Sequence, residues 1–232
     1  MGADLALPES PSGLYSLASD FLEEETMAER THGAPPPETL TTVAKADWYG
    51  RDITRQQHSQ ILFTDLDMTE VQNTGAVFTG CMFRGGDFNA STHEAAAFIN
   101  CTFVACKFFD VRFVQCKFVG STFEACTFDS MKVTGGDWSF TALPGADLRS
   151  ASFSGTRMRD ADLSNSKCQG GSLRDVDLAG AWLHGVNFSK CDLRGSDLSA
   201  IEPDKAQIKG AIITVDQAVT IAQALGLDVR PD

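Results

Sequence analysis

Apolar residues recur at every fifth position from Ala46, and this frame runs without an insertion to residue 213. The third residue of each group of five is large, mostly Phe or Leu between Phe78 and Leu198, and the first residue is small. A period of five fits neither a helix, with about 3.6 residues per turn, nor the alternation of a strand. The pattern predicts short extended stretches separated by turns, with the first and third residues inward and the other three facing solvent.

One group of five cannot bury its large side chain alone, so the groups must stack, as the units of every solenoid do. The groups ADLRS (146–150), ADLSN (161–165) and SDLSA (196–200) resemble the A-[DN]-[LF]-x-x consensus of the pentapeptide-repeat proteins. The resemblance implies an all-β solenoid, a right-handed quadrilateral β-helix with four repeats per coil, followed here by a C-terminal α-helix. We expect about eight coils over residues 46–213.

Four repeats per coil place side chains twenty positions apart on top of each other, so the inward residues form ladders. One core ladder predicted in this way comprises Phe83, Phe103, Phe123, Leu143, Leu163 and Leu183. A second comprises Phe78, Phe98, Phe118, Trp138, Met158, Leu178 and Leu198. Phe fills the N-terminal coils and Leu the C-terminal coils, so that side chains of similar bulk meet within each ladder.

Seven cysteines raise the question of a metal site or disulfides. Six occupy the small inward position and Cys168 the large one, so we interpret all seven as reduced core residues. No CxxC pair supports a zinc site. His58 and His93 fall at third positions, and no His pairs with a nucleophile in frame. We therefore expect no catalytic residue, no metal, no cofactor and no enzymatic activity.

Residues 1–45 differ in composition from the repeats, with eight acidic and two basic residues and the extended segment APPPE (34–38). Leu14, Leu17, Phe21 and Leu22 have helical spacing, which predicts a short amphipathic helix within 13–30. Three roles are open to this extension: capping the first coil, binding a partner, or remaining flexible.

The C-terminal segment, residues 214–232, contains a helix signal. Thr214 and Gln217 have the spacing of a capping box, and Gly226 suits the left-handed end of a helix that stops near Leu225. An apolar stripe follows from the helical period, formed by Ala218, Ile221, Ala222, Leu225, Leu227 and Val229. Two interpretations are open: the stripe covers the last coil, or it forms a two-fold dimer interface.

The segment DQAVTIAQALGLDV (216–229) resembles the closing segment of the Qnr and mycobacterial MfpA quinolone-resistance proteins. The resemblance implies a cytoplasmic homodimer joined tail to tail. It further implies that the dimer imitates duplex DNA and occupies the DNA-binding surface of DNA gyrase, a type II topoisomerase. The net charge of −12 predicts, separately, that the chain binds no nucleic acid itself. The acidic N-terminal extension is not part of that pattern, and the unbroken frame leaves no room for inserted loops of the Qnr kind except as multiples of five residues.

Charge limits how far DNA mimicry can extend. Residues 46–214 contain 20 acidic and 16 basic side chains, so most of the net charge of −12 lies outside the repeats. A rod of about 40 Å would need about 24 negative charges to match duplex DNA. Only a local acidic surface remains as a candidate, formed by Asp137, Asp147, Asp160, Asp162, Asp175, Asp177, Asp192 and Asp197. The alternative is that Asp is simply the preferred turn residue at these positions.

Hydropathy and the N-terminus bear on location. The sequence has no apolar run near the ~18 residues of a membrane span, and residues 1–13 lack the basic and apolar regions of a secretory signal. We therefore expect a cytoplasmic protein without a membrane association. A structural scaffold that binds another protein, with no role at a topoisomerase, is the alternative to the gyrase-binding function.

Overall fold

In the computed structural model, which describes residues 36–230, the chain turns a corner at the end of each repeat. The fifth residue there adopts the left-handed backbone conformation, as at Gly50 with φ +62° and Asn100 with φ +52°. Gly, Asn and Asp tolerate this region better than other residues, which explains their frequency at the repeat ends. The helix expected within 13–30 lies outside the described residues.

The corners divide the solenoid into four faces, which we number by the second residues of the repeats. Face 1 carries residues 47, 67, 87 and so on in steps of twenty; face 2 carries 52, 72 and 92; face 3 carries 57, 77 and 97; face 4 carries 42, 62 and 82. Each step of twenty is one coil, so the faces are parallel ladders along the rod. At ~4.8 Å per coil, the pairing on face 2 from Asp52 to Ile212 spans about 40 Å.

Within residues 36–230, fourteen short strands form three of the faces. Face 4 contains β1 (Thr41–Ala44), β3 (Ile61–Thr64), β6 (Met82–Arg84), β9 (Thr102–Val104) and β11 (Thr122–Glu124). Face 3 contains β2 (Gln57–Ser59), β5 (Val77–Thr79) and β8 (Ala97–Ile99). Face 2 contains β4 (Gln72–Thr74), β7 (Thr92–Glu94), β10 (Arg112–Val114), β12 (Lys132–Thr134), β13 (Ser152–Ser154) and β14 (Ser172–Arg174). Face 1 is joined by single bridges. The pairing of β1 with β3 places the first coil five residues before the expected start at 46.

One repeat, residues 66–70, shows how the backbone is satisfied. The N–H of Asp67 donates to the preceding coil at Ala46, and those of Met68 and Glu70 donate to the following coil, over 2.7–3.0 Å. The N–H of Val71 closes the corner on the carbonyl of Met68 at 3.2 Å. Three of five N–H groups thus bond between coils, so each coil is held by its neighbours.

The second residue of the repeat decides between a strand and a tighter turn. Asp67 Oδ1 accepts the N–H of Thr69 at 2.9 Å, and this local hydrogen bond holds the repeat in a turn instead of an extended strand. Asp or Asn makes the same bond in ten described repeats, at residues 47, 52, 67, 137, 147, 162, 177, 187, 192 and 197. None of the fourteen strands within residues 36–230 has Asp or Asn at this position. The Asp-rich C-terminal half is therefore built mainly from turns.

The inward third residues fill the bore. The first predicted ladder, from Phe83 to Leu183, is buried throughout, and its Phe members stand in direct register. Ring centroids of Phe83 and Phe103 are 4.9 Å apart and nearly parallel, and neighbouring ladders meet edge to face. Such pairs contribute about 0.5–1.5 kcal/mol each beyond the burial of their area. The predicted β-helix is confirmed.

Candidate partner-binding surfaces

The C-terminal helix α1 (Val215–Ala224) is anchored to the last coil by Gln217. Thr214 and Gln217 form the predicted capping box, in which the Thr214 N–H donates to Gln217 Oε1 at 2.8 Å. Gln217 Nε2 donates to the carbonyls of Leu193 and Ser196, both at 2.7 Å. This side chain is buried, so it both starts the helix and sets its rotation relative to the coil.

The rotation of α1 leaves much of its apolar surface in solvent. Val215 is 83% exposed, Leu225 59% and Leu227 60%, and Ala218 and Val229 are also exposed. Ile221 instead packs against the core cluster of the last coils, and Ala222 is half-buried. Ile221 thus covers the coil, whereas Ala218, Leu225, Leu227 and Val229 face solvent, and the dimer interface remains a prediction.

Two valines complete the outward side of α1 and were missed in the sequence stripe. Val215 and Val219 lie at an i, i+4 spacing beside Ala222, and Val219 is 37% exposed. The stripe drawn from the helical period was centred too close to Ile221. Because Gln217, a polar residue, faces the coil, hydropathy alone could not place the outward side. We call Val215, Ala218, Val219, Ala222 and Leu225 the outer face of α1.

The eight candidate carboxylates lie on all four faces, as their spacing predicts. Asp137, Asp177 and Asp197 share face 3, Asp147 is on face 1, Asp162 on face 4 and Asp192 on face 2. The two remaining members, Asp160 and Asp175, are corner residues with φ +54° and +55°. No single stripe contains all eight.

Arginines of the same chain neutralise four of these carboxylates. The ion pairs are Asp137 with Arg157 at 3.6 Å, Asp147 with Arg149 at 2.6 Å, Asp177 with Arg159 at 2.5 Å and Asp192 with Arg194 at 2.8 Å. The bonds from Arg194 lower the pKa of Asp192 to about 2. Asp162 is buried and accepts both the N–H and the hydroxyl of Ser164. These five carboxylates therefore form contacts within the chain: four are in ion pairs with arginine, and Asp162 is in a turn.

One group of carboxylates keeps a net negative charge. Asp160, Asp175 and Asp197 are exposed and form no ion pair with a residue in 36–230. Together with Asp177 they lie on face 3 or on its two corners, in the coils nearest α1. Arg159 is central: its pKa is raised first by the hydrogen bond to Asp177, and the charges of Asp197 and Asp160 add to this. We call the four aspartates the face 3 cluster.

The cysteines and His93 are part of the packing. The described cysteines are buried except Cys126, which is half-buried, and none is in a disulfide. Burial raises the pKa of Cys116 to about 11 and that of Cys191 to about 12, so both remain thiols at neutral pH. His93 Nδ1 lies 2.9 Å from Asn73 Nδ2, and its Nε2 lies 3.0 Å from Ser91 Oγ.

The tautomer of His93 follows from its partners. The hydroxyl of Ser91 donates to the carbonyl of Phe88 at 2.6 Å, so its oxygen accepts the Nε2–H of His93. Nδ1 is then free to accept from the amide of Asn73. Complete burial lowers the pKa of His93 to about 3, and the ring is neutral. Both ring nitrogens of His93 form hydrogen bonds inside the bore, so Ser91 and His93 are part of the core packing.

The arrangement of the described residues also bears on metal binding and on membrane crossing. In the part of the chain that the structure describes, no group of three or more His, Cys, Asp or Glu is placed to hold a metal ion. Across residues 36–230, no helix has the length and apolarity required to cross a bilayer. Two surfaces are candidates for binding a partner: the exposed apolar outer face of α1 and the acidic face 3 cluster.

A closed tube of five-residue repeats with a filled bore defines a class of β-solenoid proteins whose chemistry lies on outer faces. Two family models place this chain within that class. The model for the pentapeptide repeat region matches residues 76–153, and the model for pentapeptide repeats (8 copies) matches 143–178 and 172–200. These matches together span more than half of the chain, which belongs to the pentapeptide-repeat family.

Several solved pentapeptide-repeat structures are similar to this chain. A trypsin-treated variant of QnrB1, a plasmid-mediated fluoroquinolone resistance protein, is 16% identical with a TM-score of 0.48, covering 83% of this chain and 100% of that one. HetL, involved in heterocyst differentiation regulation in the cyanobacterium Nostoc, is 17% identical with a TM-score of 0.37, covering 84% and 91%. A protein of the Arabidopsis thaliana thylakoid lumen is 17% identical with a TM-score of 0.20, covering 74% and 80%. No curated protein matches the sequence. A fold by itself does not select a function.

Proposed function

We propose that this protein is a non-enzymatic, cytoplasmic homodimer that binds DNA gyrase or a related type II topoisomerase and protects it from quinolones or other poisons. The observation that carries the proposal is the exposed outer face of α1, at the end of the rod. All of its residues except Val215 lie within 216–229, the segment that resembles the closing segment of the Qnr and MfpA proteins. Local negative charge in the adjoining coils supplies the second element.

A second copy of the chain is the partner that the outer face of α1 fits best. Val215, Val219 and Leu225 are branched apolar side chains in solvent, and covering them yields about 25 cal/mol per Å². A two-fold axis brings such a face onto itself, with Leu227 and Val229 adding to its edge. Two rods of about 40 Å would then form a continuous assembly about 80 Å long.

The face 3 cluster is the part of the acidic surface that suits a topoisomerase. Asp160, Asp175 and Asp197 retain charge that no described cation neutralises, and the dimer would place two such clusters near its centre. A DNA-binding surface is rich in Lys and Arg, which would steer the dimer by complementary charge. The neutralised carboxylates of the other faces explain why the rod as a whole need not match the charge of DNA.

The test uses purified protein and gyrase of the native host. We expect altered supercoiling of relaxed plasmid and fewer ciprofloxacin-stabilised cleavage complexes. The triple variant Asp160→Asn, Asp175→Asn, Asp197→Asn should weaken the effect at least about tenfold, more at low salt than at high salt. The triple variant Asp65→Asn, Glu124→Gln, Asp129→Asn, at exposed positions elsewhere on the rod, is the matched control. The proposal fails if gyrase is unaffected by the wild-type protein.

Dimerisation has its own test. Val219→Asp with Leu225→Asp should give a monomer in analytical ultracentrifugation, because both side chains are exposed on the outer face of α1 and a charge there would have to be buried in the dimer. Thr220→Asp, beside them on the helix, is the control for a general effect of charge. A monomeric wild-type chain, or a dimeric double variant, would reject this interface. Ile221→Asp is unsuitable, because it would also detach α1 from the last coil.

A scaffold that binds another protein is the alternative. The ion pairs of Asp137, Asp147 and Asp192 favour it, because they leave most of the rod nearly neutral. A dimer that has no effect on gyrase would support the scaffold over the topoisomerase role.

A further inference from the structure

Cys106 and Cys126 are neighbours on consecutive coils, at the corner between faces 4 and 1. Their repeats stand in direct register, because Lys107 bridges Thr127 and the N–H of Thr127 donates to the carbonyl of Cys106 at 3.1 Å. Coils ~4.8 Å apart give the two Cα atoms a separation within the range of disulfides, about 4.4–6.8 Å. Both cysteines occupy the small inward position, so their side chains leave the backbone in the same direction.

The Cys126 sulfur is directed toward the coil that carries Cys106. Its thiol donates to the carbonyl of Phe103 at 3.4 Å, and Phe103 lies three residues before Cys106 on that coil. On the other side of Cys106 the column continues with Gly86, where an added Cβ would lie 3.6 Å from Cys106 Sγ. Because Gly86 has no side chain, none from that repeat packs on the Cys106 sulfur and holds it in place.

Of the two sulfurs, that of Cys126 is the one nearer to solvent. Cys126 is half-buried, whereas Cys106 is 1% exposed. A hydrogen bond from the Cys106 thiol stabilises the Cys126 thiolate and lowers the pKa of Cys126. The same interaction, together with burial, raises the pKa of Cys106. A more accessible thiol with a lowered pKa beside a second thiol is the arrangement found in peroxide-reactive cysteines.

We propose that Cys126 is a site of oxidation by hydroperoxides and that Cys106 is its resolving cysteine. The Cys126 thiolate attacks one peroxide oxygen, the O–O bond breaks, and the leaving oxygen takes up a proton to depart as water or an alcohol. Cys126 is then a sulfenic acid. The Cys106 sulfur attacks the Cys126 sulfur, the S–O bond breaks, and the hydroxyl leaves as water with the Cys106 proton. One peroxide is reduced by two electrons, and one disulfide forms.

The disulfide would join two consecutive coils covalently. The residues it links are twenty positions apart, one full coil. Without it the coils are held by hydrogen bonds and packing, and the link would prevent their separation at this corner. A dithiol such as dithiothreitol would reverse the reaction by thiol–disulfide exchange. The corner lies away from both the face 3 cluster and α1, so the proposal is independent of gyrase binding and of dimerisation.

Cys81 and Cys101 form a matched pair within the same chain. They are also one coil apart, with the N–H of Thr102 donating to the carbonyl of Cys81 at 2.9 Å. A hydrogen bond from the Cys101 thiol lowers the pKa of Cys81. Both residues are 0% exposed, so this pair differs from Cys106 and Cys126 chiefly in access from solvent. We expect it to remain reduced while the Cys106–Cys126 pair is oxidised.

The test treats the reduced full-length protein with hydrogen peroxide, alkylates the remaining thiols and digests with trypsin without a reductant. Cleavage places Cys126 in peptide 118–132, Cys106 in 85–107 and Cys81 in 56–84, so the two disulfides join different peptides. We expect the link between 85–107 and 118–132 to form at least about tenfold faster than the link between 56–84 and 85–107. Dithiothreitol should remove it.

Serine variants separate the two roles and should fold, because serine already occupies this position. The hydroxyl of Ser121 donates to the carbonyl of Phe98 at 2.7 Å, as the thiol of Cys106 does to that of Phe83. Cys106→Ser should leave Cys126 as a sulfenic acid that dimedone traps, and Cys126→Ser should protect Cys106 from oxidation. Equal rates for the two pairs would overturn the proposal. A wild-type Cys126 that stays reduced, stops at the sulfenic acid or links to a second copy would overturn it equally.

Discussion

Gln217 is the residue whose loss should separate the C-terminal helix from the rod. Its side chain makes three hydrogen bonds, one from the N–H of Thr214 and two to the carbonyls of Leu193 and Ser196, at 2.7–2.8 Å. At a net value of about 1 kcal/mol each, the two carbonyl bonds contribute about 2 kcal/mol to the docking of α1 and the Thr214 bond about 1 kcal/mol to its cap, so Gln217→Ala should favour the opening of α1 by about 3 kcal/mol. The local opening of α1 should then become about 100-fold more frequent.

Hydrogen exchange within 215–225 measures this opening directly, whereas global unfolding of a repeat protein averages over many coils. Gln223→Ala is the control, since that glutamine is on the same helix and exposed. Gln217→Glu sharpens the test: the carboxylate still accepts from Thr214 but cannot donate to the two carbonyls. We expect it to open α1 at least as much as Gln217→Ala does.

Equal exchange in Gln217→Ala and Gln223→Ala would refute this reasoning, because it would mean that the apolar contact of Ile221 alone holds the helix. Wild-type exchange in Gln217→Glu would refute the role of the two carbonyl bonds in particular. The same variants connect to function: a detached α1 should also lower the fraction of dimer in ultracentrifugation. Gln223→Ala should leave that fraction unchanged.

Three further predictions concern the coils. Gly136→Ala should destabilise the protein by about 3 kcal/mol or more in urea unfolding, because its Cβ would lie 2.1 Å from the Cys116 carbonyl oxygen; Gly145→Ala, where nothing lies within 4 Å, should cost only about 1–2 kcal/mol. The neutral His93 should make stability fall from pH 6.5 toward pH 3, since the folded pKa is about 3 and the unfolded chain binds the proton first. The slope, up to about 1.4 kcal/mol per pH unit, should be absent in His93→Phe, and equal slopes between pH 7 and 5 would contradict the assignment. A thiol reagent should modify Cys126 before any other described cysteine under native conditions, and mass spectrometry of early digests would show a different first site if its partial exposure is not decisive.

The turn chemistry links repeat sequence to local structure. The sequence identifies Asp at second positions as turn residues, and Asp67 and Asp162 do accept the N–H two residues on. Asp162 is also one of the candidates for the acidic binding surface. An aspartate can serve both in a turn and in a binding surface only where its second carboxylate oxygen is exposed to solvent and forms no ion pair. Asp197 meets that condition, whereas Asp192 does not, because its two oxygens accept the Nε–H and an Nη2–H of Arg194.

The repeat sequence determined the β-helix, the register of its ladders and the inward position of the cysteines, because each coil repeats the same local turn and contacts only the coils next to it. The capping box of Thr214 likewise depends on residues three positions apart. The tertiary structure alone decided which carboxylates form ion pairs with arginine and which side of α1 faces solvent. Arg159 reaches Asp177 eighteen residues away, and Gln217 reaches carbonyls more than twenty residues away. Such bonds depend on the conformations of side chains that reach from one coil to another, and a five-residue sequence period carries no information about these conformations.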